Sequence, residues 1–170
     1  MISVAVVDQQ SYVRLAKSKI KQAVQVALES AGVHRARICV AMIDDEQIRR
    51  LNRQFLGEDE PTDVLSFPMG CSAEGLEGEI VVSGERAAAV ASQYGWTAEQ
   101  ELLLYIIHGA LHLAGFQDAS GAQRRRMRRQ EALCLRRLGL EPPSKSPTNR
   151  RTPPTARSKP SGCPKPNPGR

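Results

Sequence analysis
An α/β fold, α+β-like, with a small mixed sheet of about four strands packed with helices, is predicted by three observations. Short β-branched runs alternate with segments of helical period in the order βαβαββααα. Helix starts and stops carry capping and glycine signals. One segment, residues 98–114, is apolar on nearly every side from Leu102 onward, the mark of a central buried helix.

Residues 2–7 alternate and are β-branched, which predicts a strand. Residues 11–30 place Leu15, Ala16, Ile20, Ala23, Val24, Ala27 and Leu28 at helical spacing, and Ala31-Gly32 ends that helix. Residues 37–43 read as a second strand. Asp44 or Asp45 then caps a short helix carrying Ile48, Leu51 and Phe55, with Gly57 as its stop. Residues 63–67 and 79–83 predict two further strands, separated by a loop containing glycine, serine and Cys71. Ser83 or Gly84 opens a helix to about Tyr94-Gly95. Thr97-Ala-Glu-Gln100 has the capping-box pattern and opens the central apolar helix. Ser120-Gly-Ala-Gln123 repeats that pattern and opens a last helix that runs to Leu138 and stops at Gly139. No internal repeat, P-loop or GxGxxG is present.

The formal charge of +6 is unevenly placed. From Glu141 onward there are seven basic residues and one acidic, so residues 1–140 balance to zero with 17 of each sign. Nine of the eleven prolines also lie past 140. This composition predicts a folded domain over 1–140 and a disordered, basic, proline-rich tail over 141–170. The longest apolar run, residues 102–107, is too short to span a bilayer. The N-terminus has no basic segment before its apolar stretch, against a signal peptide. Four cysteines at 39, 71, 134 and 163 form no CxxC pair, which suits a reducing cytoplasm.

Chemistry concentrates in the apolar helix. His108 and His112, at i and i+4, share one helical face with Cβ atoms about 5–6 Å apart. Gly115 permits a sharp turn, and Asp118 follows on the returning chain. Two imidazoles and a carboxylate make a tripod with a fourth position open, as catalytic zinc sites require. The competing reading is a pair of core histidines satisfied by hydrogen bonds. Burying two such rings costs a few kcal/mol without partners. A similar spacing occurs in zinc metalloproteases, where the residue after the first histidine is the glutamate base. Here that residue is Gly109, which moves no proton, and no Met-turn follows, Met127 lying in an arginine-rich helix. His34, alone in a turn, carries no functional reading.

The segment His108-Gly-Ala-Leu-His112-Leu-Ala-Gly115-Phe-Gln-Asp118 resembles the signature of the YbeY family, bacterial rRNA maturation factors that act as metal-dependent endoribonucleases. Phe55-Leu-Gly-Glu-Asp59-Glu-Pro61-Thr62-Asp63-Val64-Leu65-Ser66-Phe67-Pro68 is similar to the family's PTDVLSFP block. Gly78-Glu79-Ile80 and Met127-x3-Glu131 fit its following segments. Two departures stand out. Asp118 occupies a ligand position that is usually histidine in the family, which lowers the site's positive charge and favours harder ions. Leu56 stands where some relatives carry an arginine thought important for activity.

The resemblance implies a cytoplasmic, single-strand-specific endoribonuclease acting in rRNA maturation and ribosome quality control. His108, His112 and Asp118 would hold one Zn2+ or another divalent metal, and rRNA and the small ribosomal subunit would be its partners. Two alternatives stay open at this point: a non-catalytic ribosome-assembly factor with a structural metal, and a zinc-dependent peptidase lacking its glutamate. Asp63 and Glu79 are candidate general bases, Asp63 competing with a role at the strand start. Thr62, Ser66 and the last-helix arginines Arg124, Arg125, Arg128 and Arg129 are candidate RNA contacts, set against strand, turn and solvated-face roles. Glu131 falls within the apolar stripe of that helix, either as the buried partner of an arginine or behind a metal ligand.

Overall fold
The structure, a computed structural model, describes residues 1–73 and 75–143. Ten segments follow one another: β1 (Ile2–Asp8), α1 (Lys17–Ser30), β2 (Ala36–Ile43), α2 (Asp45–Leu56), β3 (Val64–Ser72), β4 (Gly75–Ser83), α3 (Gly84–Val90), a 3-10 turn (Ala91–Tyr94), α4 (Ala98–Leu113) and α5 (Gly121–Arg137). The strands form one mixed sheet in the order β1-β2-β4-β3. β2 runs parallel to β1 and to β4, while β3 returns antiparallel to β4. The predicted α/β architecture is therefore the observed one.

Alternation along the strands separates two faces. Ile38, Val40, Met42, Val64, Ile80 and Val82 join the main core with α1, α4 and α5. Leu65 and Val81 point the other way and meet Ile43 and Ile48 under α2. The helix α4 lies on the first face, and twelve of its sixteen residues are buried. At about 1.5–3 kcal/mol for each large aliphatic side chain removed from water, α4 anchors the molecule. Its N-terminus has both halves of the capping box, Thr97 Oγ1 accepting from Gln100 N–H and Gln100 Oε1 accepting from Thr97 N–H. Ser120 and Gln123 do the same for α5.

Three boundaries differ from the sequence expectation. The first helix begins at Lys17, not residue 11, because the Gln10 side chain holds the preceding segment in a coil. Its Oε1 accepts from the N–H groups of Tyr12 and Val13, and its Nε2 donates to the Val13 carbonyl. Val13 and Leu15 are buried from that coil. Secondly, residues expected to form a loop between the third and fourth strands extend both into a hairpin. Every added residue except Met69 finds a partner across the ladder, the register shifting at Pro68/Gly70. Gly75, at φ +115°, begins β4 where a Cβ would fall 2.1 Å from the Arg35 carbonyl oxygen, so only glycine fits. Thirdly, α3 gives way to a 3-10 turn before Gly95. Residues 144–170 of the predicted tail lie outside the described residues.

Gly109 sets the seat of α4 on the sheet. A Cβ there would approach Ile80 Cγ2 at 2.7 Å and Ser66 Oγ and Val64 Cγ2 at 3.0 Å. Ser66 Oγ donates to the Gly109 carbonyl at 3.2 Å, closing the same contact. Alanine would improve helix propensity by about 1 kcal/mol. Overpacking at such a contact costs about 1–3 kcal/mol. We expect Gly109→Ala to be net destabilising in urea unfolding, and a gain in stability would show that the helix sits on the sheet more loosely.

Candidate metal centre
His108 and His112 leave α4 on the side turned toward α5 and the 114–120 connection. The connection reverses because the helix ends in a glycine stop. Gly115 has φ +96°, its N–H donates to the His112 carbonyl, and Phe116 N–H donates to the Leu111 carbonyl. Phe116 is buried and carries the Arg126 guanidinium 4.8 Å above its ring. Arg124 Nη1 donates to the carbonyls of Asp118 and Ala119 at 3.2 and 2.9 Å. These contacts tie the start of α5 to the loop and return Asp118 to the histidines.

The three expected ligands converge. The two Nε2 atoms are 2.9 Å apart, and Asp118 Oδ2 lies 3.7 Å from His108 Nε2 and 3.5 Å from His112 Nε2. A tetrahedral ion with ligand distances of about 2.0–2.1 Å spans edges of about 3.3 Å. The triangle therefore fits one small divalent ion, and its donors, two imidazoles and a carboxylate, suit zinc or a harder metal. The side chains are 7%, 6% and 15% exposed, which leaves the carboxylate side as the open one.

Glu131 decides how this triangle works. Its Oε1 lies 2.6 Å from His108 Nδ1 in a buried hydrogen bond. The Nδ1–H donates to the carboxylate, which fixes the ring and turns the Nε2 lone pair toward Asp118 and His112. Glu131 is thus a carboxylate behind a ligand, the second of the two roles its stripe position left open. His112 has no matching support, since its Nδ1 is buried without a hydrogen-bond partner. The pKa of His108 lies above its ordinary value. Burial is the largest single influence and opposes this, but the hydrogen bond and charge of Glu131 outweigh it together with the charges of Asp63 and Asp118. The added proton sits on Nε2, between the rings, where an ion would bind.

The remaining candidates fall into separate places. Asp63 Oδ1 accepts from Val64 N–H at 2.9 Å and from Thr62 Oγ1 at 3.2 Å, so it caps the start of β3 while contributing charge near His108. Glu79 is corrected as a candidate base. Ile80 and Gly78 face α4, so Glu79 points from the opposite side of the sheet, beside Cys39, whose thiol pKa is raised first by burial and then by that charge. Thr62 and Ser66 already donate within the protein, and the lone pairs they retain suit a ribose hydroxyl better than a phosphate oxygen. Leu56 packs beside Ile48 and Val81 under α2. Arg124 and Arg128 line a cavity of about 110 Å³ that also touches His108, Asp118 and Glu131. Arg125 and Arg129 are exposed outside it.

Comparison with known proteins agrees with this geometry. The family model described as endoribonuclease YbeY matches residues 4–139. The chain belongs to the endoribonuclease YbeY family. An endoribonuclease YbeY of Rhodopirellula baltica is 39% identical over 130 residues, covering 75% of this chain and 67% of the relative. That of Chlorobium phaeovibrioides is 41% identical over 127 residues, covering 74% and 84%. A solution structure from Thermotoga maritima superposes with a TM-score of 0.53 at 28% identity, covering 89% of this chain and all of that one. The chemistry of the YbeY family is hydrolysis of phosphodiester bonds within RNA. No described helix is long and apolar enough to cross a membrane.

Two expectations follow for this YbeY-family site. Removing the partner of a ligating histidine costs about 10–100-fold in metal affinity. Glu131→Ala should fall in that range by competition titration against a chelator, and Glu131→Gln, which still accepts from Nδ1–H, should lose less. An unchanged affinity in both would remove Glu131 from the site. The second concerns pH. Because the folded pKa of His108 is raised, protonation stabilises the metal-free fold fully below the unfolded value near pH 6.5, and this is lost as pH rises through the folded pKa. The ion competes with that proton, so apparent affinity should rise by about tenfold per pH unit below the folded pKa and level off above it. A flat profile through that range would place the ion elsewhere.

Proposed function
We propose that this chain is a metal-dependent endoribonuclease of the cytoplasm that cleaves single-stranded RNA during rRNA maturation and ribosome quality control. Zn2+ held by His108, His112 and Asp118 is the proposed cofactor, one per chain. Convergence of these three ligand atoms, with Glu131 behind one of them, is the observation that carries the reading. When bound, a divalent ion acidifies a water and polarises a phosphoryl oxygen. The protein's own part is to orient the two imidazoles, through the Glu131 hydrogen bond for His108 and through packing for His112. The Asp118 side of the triangle remains accessible to a phosphate.

Around the metal, the charges are mostly negative. Asp63, Asp118 and Glu131 all bear on His108 and favour a cation over a polyanion. The arginines Arg124, Arg125, Arg128 and Arg129 of α5 supply the opposite sign, Arg124 and Arg128 at the cavity and Arg125 and Arg129 outside it, and are the proposed phosphate-tracking surface. Thr62 and Ser66 are proposed as ribose contacts. Partners are proposed as rRNA and the small ribosomal subunit. The basic residues beyond 143, which lie outside the described residues, are proposed to add salt-sensitive attraction to RNA. A peptidase reading finds no support, because the position of the usual glutamate is Gly109, packed against Val64 and Ile80.

Purified protein should contain stoichiometric metal and cleave an unstructured RNA oligonucleotide, with a duplex of the same sequence resistant. His112→Ala should lose metal and cleavage together, and Asp118→His should raise zinc affinity. Equal cleavage by wild type and His112→Ala would assign the activity to a contaminant and leave a ribosome-assembly role.

A further inference from the structure
We propose that the cavity between α4, α5 and residues 142–143 is a nucleotide subsite. It seats one unpaired base of the RNA next to the scissile phosphate, with Arg128 on that nucleotide's phosphate. This rests on the endoribonuclease reading above and adds to it the reason for single-strand preference.

Three observations carry it. The cavity shares its walls with the metal centre, since His108, Asp118 and Glu131 line it. A group bound there is adjacent to whatever the ligands hold. Secondly, its remaining lining is divided. Leu104, Ala132, Leu135, Pro142 and Pro143 make an apolar wall, while Arg124 and Arg128 make a cationic edge. An apolar wall gives water no partners but suits the face of a base, and a guanidinium suits phosphate. Thirdly, the two arginines are not equivalent. Arg124 is held by the Asp118 and Ala119 carbonyls and positions the ligand loop. Arg128, one turn further, forms no hydrogen bond or ion pair among the described residues and is exposed at the rim. It is the cation left to meet an incoming phosphate. Arg125 and Arg129, with the same charge on the same helix, do not line the cavity.

A base stacked and paired in a duplex cannot enter a recess bounded by helix side chains and a proline wall. Unpaired RNA can turn one base out of the strand. The subsite therefore selects for single strands by shape, without reading every base.

The test is a methyl-detected NMR titration of the full chain with uridine 5′-monophosphate, adenosine 5′-monophosphate and a short unstructured RNA. Shifts should concentrate at Leu104, Ala132 and Leu135. Arg128→Gln should weaken nucleotide affinity by about tenfold or more, the effect of losing a charge-assisted hydrogen bond. Arg136→Gln, which removes the same charge from the exposed last turn of α5 outside the cavity, should weaken it by about twofold or less. Ala132→Leu should fill the apolar half and abolish the shifts while metal content is retained. In cleavage assays Arg128→Gln should raise KM more than it lowers kcat. Shifts absent from these methyls with all three probes, or equal losses in Arg128→Gln and Arg136→Gln, would overturn the subsite. If either is seen while wild type still cleaves, the endoribonuclease reading stands without it. Failure of wild type to cleave, with the methyl shifts intact, would overturn that reading and leave a nucleotide-binding pocket.

Discussion
Burial of α4 is the constraint on which the rest of the structure depends. A helix enclosed between a sheet and other helices must assign each of its faces to a neighbour. The face toward β3 and β4 has room for no side chain at Gly109. Toward α5, His108 must find a polar partner or carry the cost of a desolvated ring, and Glu131 supplies it at 2.6 Å. The same hydrogen bond that makes the helix tolerable as core also orients its imidazole as a ligand. Stability and chemistry here share one contact.

That contact would be costly in isolation, because a buried carboxylate loses hydration that a single hydrogen bond repays only in part. The hydrogen bond to His108 offsets part of that loss and holds the ring's pKa above its ordinary value. The two Nε2 atoms lie 2.9 Å apart with Asp118 beside them, a spacing that suits one small divalent ion. Such a negatively lined site repels phosphate, and α5 carries arginines of the opposite sign, Arg124 and Arg128 beside the same cavity. Residues 1–140 are neutral overall, so the local potential there follows the placement of charge and not its sum.

Much of this was legible from local pattern. The four strands, the two capping boxes and the i, i+4 histidines all express geometry that a few neighbouring residues determine by themselves. The glycine stop at Gly115 is equally local, and with it the return of Asp118. Where local reading went astray, a distant or lateral partner intervened. Residues 68–72 and 75–78 look like a loop until β3 and β4 lie side by side and pair with each other. Leu15 and Ala16 continue a helical period, yet Gln10 binds the backbone ahead of them and keeps the segment extended. Glu79 has the right chemistry for a base, but strand alternation sends it to the other face of the sheet.

The sequence by itself determined that the three candidate ligands would meet, because two of them lie on one helical turn and the third follows a turn enforced by glycine. It also determined that this helix would be central, since no face of it could be left in water. Only the tertiary structure decided the role of Glu131, 23 residues from His108, and separated Arg124 and Arg128 from Arg125 and Arg129. It also brought Pro142 and Pro143 to the edge of the site. Those choices depend on how α5 is rotated against α4, and that rotation is set by the packing of Met127, Cys134 and Leu135 into the common core.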